Sequence, residues 1–158
     1  MDKIWIYTIR PTWSLIINFG LCLLYAHNLP AAWRERRCLK ATVRTLADVR
    51  AELKKAEYKP DSFKDWVPWL LTFLLRGRVD DCDGLAIFGR FLFRCTGLAS
   101  EIVRLRGVID GVGVGHTVCV TKDRRWMISN CRLIRLPRKK DWRTEVLGRF
   151  GGRYDRIL

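Results

Sequence analysis

Apolar positions recur at helical spacing through the first half of the chain and alternate through much of the second. The longest apolar run covers residues 15–26, contains Asn18, and is ended by Asn28-Leu29-Pro30. Over residues 41–58, Val43, Leu46, Val49, Leu53 and Ala56 share one helical face until Lys59-Pro60 stops the pattern. Asp61-Ser62-Phe63 opens a further apolar stretch over 66–75, closed by Arg76-Gly77-Arg78. A helix is predicted from Asp80 or Asp81 to about Cys95, with Leu85, Phe88, Leu92 and Cys95 on one face and Gly97 as its C-terminal stop. Beyond Gly97 the period changes. Residues 100–108, 112–121 and 125–128 read as strands, separated by the turn signals Asp110-Gly111 and Lys122-Asp123-Arg124.

Helices first and an antiparallel meander second argue for an α+β fold rather than a βαβ sheet. The chain divides into an apolar, aromatic N-terminal arm or helix over 1–31, a core over 32–136, and a basic tail over 137–158. The tail carries Trp142, Phe150 and Tyr154 but little periodicity. At 158 residues this is one domain with a short arm, and 49% apolar content with seven Trp is ample for a packed core. The 15–26 run is shorter than the roughly 20 residues of a bilayer crossing, so no transmembrane segment is expected. Arg10 and Pro11 precede the run and no small-x-small site follows it, which argues against a cleaved export signal. The arm reads either as a first helix packed on the domain or as a partner-binding or membrane-surface segment.

Charge widens the choice of partners. Thirty Lys+Arg against 16 Asp+Glu give a formal +14, a field that attracts nucleic acid, acidic lipid, cell-wall polymer or an acidic protein alike. No nucleic-acid-binding module is recognisable, so nucleic acid is not the favoured partner. Six Cys show no CxxC pairing, which fits free thiols in a reducing compartment. Zinc is not expected: the spacings lack paired clips, and His116 and Cys119 fall on opposite strand faces. The Gly111-Val-Gly-Val-Gly115 stretch imitates a phosphate loop, but a strand follows it and no Gly-Lys-Ser/Thr is present.

The chemistry concentrates on Cys82. It opens a predicted helix, where unpaired N–H groups and the positive end of the dipole favour a thiolate. Asp80, Asp81 and Asp83 raise the thiol pKa by like-charge repulsion and call for a positive neighbour. His116 follows Gly115 at the entry to a strand, and an imidazole projecting there toward a helix N-terminus is a Cys–His arrangement. A turn centred near residue 123 brings 128–130 alongside 116–118, so Asn130 can hold one ring nitrogen.

Asp-Cys-Asp-Gly-Leu-Ala over 81–86, the run at 91–99, Gly115-His116, Trp126 and Asn130 together resemble the transglutaminase-like, papain-like cysteine protease superfamily of bacterial and phage type, over residues 66–130. The resemblance implies a papain-like fold with the nucleophile helix on a C-terminal antiparallel sheet, Cys82 as nucleophile, His116 as base and Asn130 as orienter. It implies no cofactor and no metal. Three departures stand out: Asn in place of the commoner Asp, Val118 in place of an aromatic, and Arg78-Val79 in place of a glycine. The chain has no Gln, so an oxyanion site must use N–H groups at Cys82, helped by Trp66 or Trp69. Asp83, Gly115 and Trp126 complete the expected cleft.

Two functions follow as expectations. One is a cysteine hydrolase, or acyl transferase, acting on an amide in a protein or cell-wall peptide. The other is a non-catalytic assembly protein that keeps the fold, such as a bacteriophage virion or tail component docking through the arm and tail. The corresponding locations are the cytoplasm or a virion.

Overall fold

The computed structural model describes residues 10–60, 69–137 and 141–157. Its first helix, α1 (Arg10–Leu24), ends at a single 3-10 turn (Ala26–Asn28), and α2 (Leu29–Thr42) starts with Pro30 in its first turn, where a missing N–H costs nothing. The arm boundary drawn at residue 31 therefore falls inside α2. The helix read over 41–58 is shorter, α3 (Leu46–Leu53). Thr45 caps it in a reciprocal box with Asp48, which draws the helix start five residues into the predicted range. After α3 comes β1 (Glu57–Tyr58), which pairs in parallel with β2 (Val79–Asp80) across the short helix α4 (Leu70–Leu75).

Helix α5 (Cys82–Cys95) follows β2 directly. Asp81 caps it, accepting from the N–H groups of Asp83 and Gly84. The hairpin β3 (Ser100–Ile109) and β4 (Val112–Thr121) then leads to β5 (Trp126–Ser129) and β6 (Arg132–Arg135). The fold is α+β, with helices preceding an antiparallel sheet of order β6-β5-β4-β3-β7, where β7 is Arg156–Ile157.

The tail is part of this architecture. It forms α6 (Trp142–Gly148) and an edge strand, β7 (Arg156–Ile157), antiparallel to β3. Gly107 permits this, because a Cβ there would collide with the Arg153 carbonyl. The Asp155 N–H then reaches the Arg106 carbonyl at 2.9 Å.

Strand alternation gives the sheet two covered faces. Cys119 and Ile128 pack with Leu39, Leu53, Phe88 and Leu92 from the helical layer. Val118, Val120, Met127, Val103 and Leu105 pack on the other side with Leu136 and Val146. Burying both faces explains why the strands read as clusters of β-branched residues as well as alternations.

Arg78 ties the helical layer together. Its guanidinium reaches Glu35 of α2 at 2.6 Å and Glu52 of α3 at 2.7 Å, and lies 5.5 Å above the Phe88 ring of α5. Its φ is 66°, a left-handed backbone conformation that favours glycine.

Candidate active site

Three acids flank Cys82 in the chain, Asp80, Asp81 and Asp83, and each is engaged differently. Asp80 is buried, accepts the Asp81 N–H, and pairs with Arg76 at 3.2 Å. Gly84 makes room for it, since a Cβ there would overlap the Asp80 carboxyl. Asp81 serves as the helix cap. Asp83, also buried, accepts from the Thr117 hydroxyl of β4.

Cys82 itself is half-buried against β4. The last β4–β5 rung is Val118↔Ser129, so β4 has an open edge just before Val118. There the Thr117 backbone hydrogen-bonds the sulfur and favours the thiolate. Burial outweighs this and pushes the thiol up to about 11, with Asp81 and Asp83 acting in the same direction. Cys119 is pushed to about 11 by burial as well, so the shift by itself marks no function.

His116 lies one residue away on β4. Its Nε2 is 2.9 Å from Ser129 Oγ, its ring stacks on Tyr154 at 6.0 Å, and Phe150 meets it edge-on at 5.1 Å. Burial holds its pKa below the ordinary imidazole value, partly offset by the negative charge of Asp83. The ring shares its face with Val118 and Val120, whereas Thr117 faces α5. At the open edge of β4, Cys82 is hydrogen-bonded to Thr117 and His116 to Ser129, each to a third residue rather than to the other.

The orienter differs from the expectation. Ser129, not Asn130, holds the ring. The hairpin is centred between Asp123 and Arg124, with Arg124 at φ 58°, so Met127 faces Val120 and Ser129 faces Val118. That is one residue from the register read off the sequence, and one residue exchanges the two faces of a strand. Asn130 instead begins the two-residue turn into β6 at φ 49°, and its buried Oδ1 has no hydrogen-bond partner among the described residues.

The remaining expected cleft residues separate. Gly115 is exposed opposite Arg106. Trp126 packs with the helical-layer core, on the other sheet face from His116. The Trp69 N–H is taken by Asn18 of α1 at 2.7 Å. Trp66 lies outside the described residues. Of the first-turn N–H groups expected to bind an oxyanion, those of Asp83 and Gly84 are occupied by the Asp81 carboxylate at 2.8 and 3.4 Å.

Two tyrosines come into the site that sequence reasoning left out. Tyr58 of β1 and Tyr154 of the tail both have raised pKa values, through burial first and then through the negative charge Cys82 can carry. Both phenols thus lie within electrostatic reach of the sulfur. Tyr58 arrives through the β1–β2 pairing immediately before Cys82, and Tyr154 through the docking of β7. Neither pairing leaves a local signal, because each joins segments more than twenty residues apart.

Fold and site together define the class: an α+β protein whose helix, begun by a half-buried cysteine, lies on an antiparallel sheet carrying a histidine beside it. Comparison with protein-family models, curated proteins and solved structures finds no match to this chain.

Proposed function

We propose that the protein is a cysteine hydrolase or acyl transferase of papain-like, transglutaminase-like type, acting on an amide of a protein or cell-wall peptide. The observation that carries this is Cys82 as the first residue of α5, bonded to Thr117, with the neighbouring His116 held through Nε2 by Ser129. That bond leaves Nδ1 as the nitrogen for the thiol.

The resting site pairs a neutral thiol with a neutral imidazole. When substrate enters, the thiol proton passes to Nδ1 and the sulfur attacks the carbonyl carbon. The resulting oxyanion is bound by the Cys82 N–H and a tyrosine hydroxyl. The imidazolium returns its proton to the leaving amine, and water or a second amine then releases the acyl group from the thioester. A Ser129 hydroxyl stabilises imidazolium less than a carboxylate does, so the enzyme is slow. No cofactor takes part in these steps.

A second reading, a non-catalytic assembly protein such as a virion component, is favoured by the thiol at about 11 and by the cap's use of two first-turn N–H groups. Labelling with a panel of peptidyl chloromethyl ketones, mapped by mass spectrometry, separates the two. The enzyme reading expects Cys82 to be modified ahead of the exposed Cys38, with the rate falling about a hundredfold in His116→Ala. Equal labelling of the two thiols, or a rate indifferent to His116→Ala, selects the assembly reading.

A further inference from the structure

Helix α1 is turned inside out for a helix in water. Two of its polar residues face the domain, Ser14 at 8% exposed and Asn18 at 0%, while Thr12 in the first turn is exposed. Asn18 donates to the Ser14 carbonyl at 2.6 Å and accepts from the Trp69 N–H and the Thr72 hydroxyl, which anchors α1 to α4. Its large apolar residues face outward: Trp13 43%, Leu15 54%, Ile16 58%, Phe19 60%, Leu23 63% and Leu24 68%. At about 100° per residue they cover about half the helix circumference.

Burying polar groups while exposing this much hydrocarbon is unfavourable in water and favourable in lipid, where polar side chains turn to the protein interior. At about 1.5 Å per residue α1 is about 22 Å long, short of a roughly 30 Å hydrocarbon core, so it fits along a membrane surface better than through it. No single helix among the described residues is long and apolar enough to cross a membrane. The helices on either side of residue 25 meet at 75°, and α2 carries exposed Arg34, Arg37 and Lys40, none of them ion-paired among the described residues.

We infer that α1 lies in the interface of an anionic lipid membrane, its Trp13–Leu24 apolar face among the acyl chains and the cations of α2 among the headgroups. Two other occupants fit less well. A protein partner would ordinarily be met by several polar groups, whereas this face offers two side-chain donors, the indole of Trp13 and the Thr12 hydroxyl, both in its first turn. A second copy would bring another +14 against the first. The inference does not depend on the chemistry of Cys82.

Sedimentation of the full chain with phosphatidylcholine vesicles containing about a third phosphatidylglycerol tests it. Binding is expected, with a partition coefficient reduced at least about fiftyfold in the double variant Phe19→Glu, Leu23→Glu. Each of Arg34→Ser and Arg37→Ser should reduce it about fivefold, and pure phosphatidylcholine should bind less. All four side chains are exposed, so circular dichroism and the thermal midpoint should match the wild type. Absence of vesicle binding by the folded wild type overturns the inference, as does binding that the double variant retains. A dimer that the double variant dissociates, without vesicle binding, assigns the face to a second copy.

Discussion

His116 and Cys82 are both held in their neutral forms by burial, and this makes stability depend on pH at both ends. The His116 pKa is below its ordinary value, so between the two pKa values the unfolded chain binds the proton that the folded chain refuses. Its contribution is complete above the unfolded value of about 6.5 and is lost as the pH falls below it. The thermal midpoint should therefore drop between about pH 7 and pH 5, and His116→Gln should flatten that drop. An equal drop in the variant would mean that other groups cause it. Cys82 has the opposite sign. Its thiol, raised to about 11, retains a proton that the unfolded chain gives up in the ordinary thiol range, so its contribution is lost as the pH rises toward that value.

Among the elements, the join between α2, α3 and α5 depends on one residue in an unusual conformation. Arg78 gains two carboxylate partners but holds φ at 66°, which costs a non-glycine residue about 1 kcal/mol. Two substitutions separate these effects. Arg78→Ala loses both ion pairs and keeps the strain, and should lower unfolding free energy by about 3 kcal/mol. Arg78→Gly loses the same pairs and releases the strain, so it should be the milder of the two by about 1 kcal/mol in urea denaturation. Equal losses would show that the backbone at residue 78 relaxes freely. Glu35 and Glu52 lie far from residue 78 in the chain, so local pattern gave no sign of the ion pairs that hold Arg78 there.

Across the whole molecule, the C-terminal segment completes the site. It covers the His116 face with Phe150 and Tyr154, and Arg124 secures α6 by lying 4.0 Å over the Trp142 ring while bonding Glu101. Gly107→Ala should drive β7 and Tyr154 away from β3, since its Cβ would meet the Arg153 carbonyl and the Tyr154 backbone. The His116 pKa, followed by NMR titration, should then rise toward the ordinary value, and residues 141–157 should become sensitive to limited proteolysis. A titration unchanged from the wild type would mean that the burial of His116 comes from the sheet alone.

Local pattern was enough for the α+β class, the start of α5 at Asp81-Cys82 and the β3–β4 hairpin, because caps, turn residues and hydrophobic period act over a few neighbouring positions. It also placed Cys82 and His116 on adjoining elements. The identity of the residue on the imidazole was beyond it: moving the centre of one hairpin by half a residue exchanges Asn130 for Ser129. The roles of Tyr58, Tyr154 and Arg78 depend on β1, β7, α2 and α3 meeting the site from distant parts of the chain. The 15–26 run announced an apolar helix, but only packing showed that Ser14 and Asn18 turn inward and the apolar side chains outward. Periodicity records which residues share a face; which face is covered is decided by the elements that pack against it.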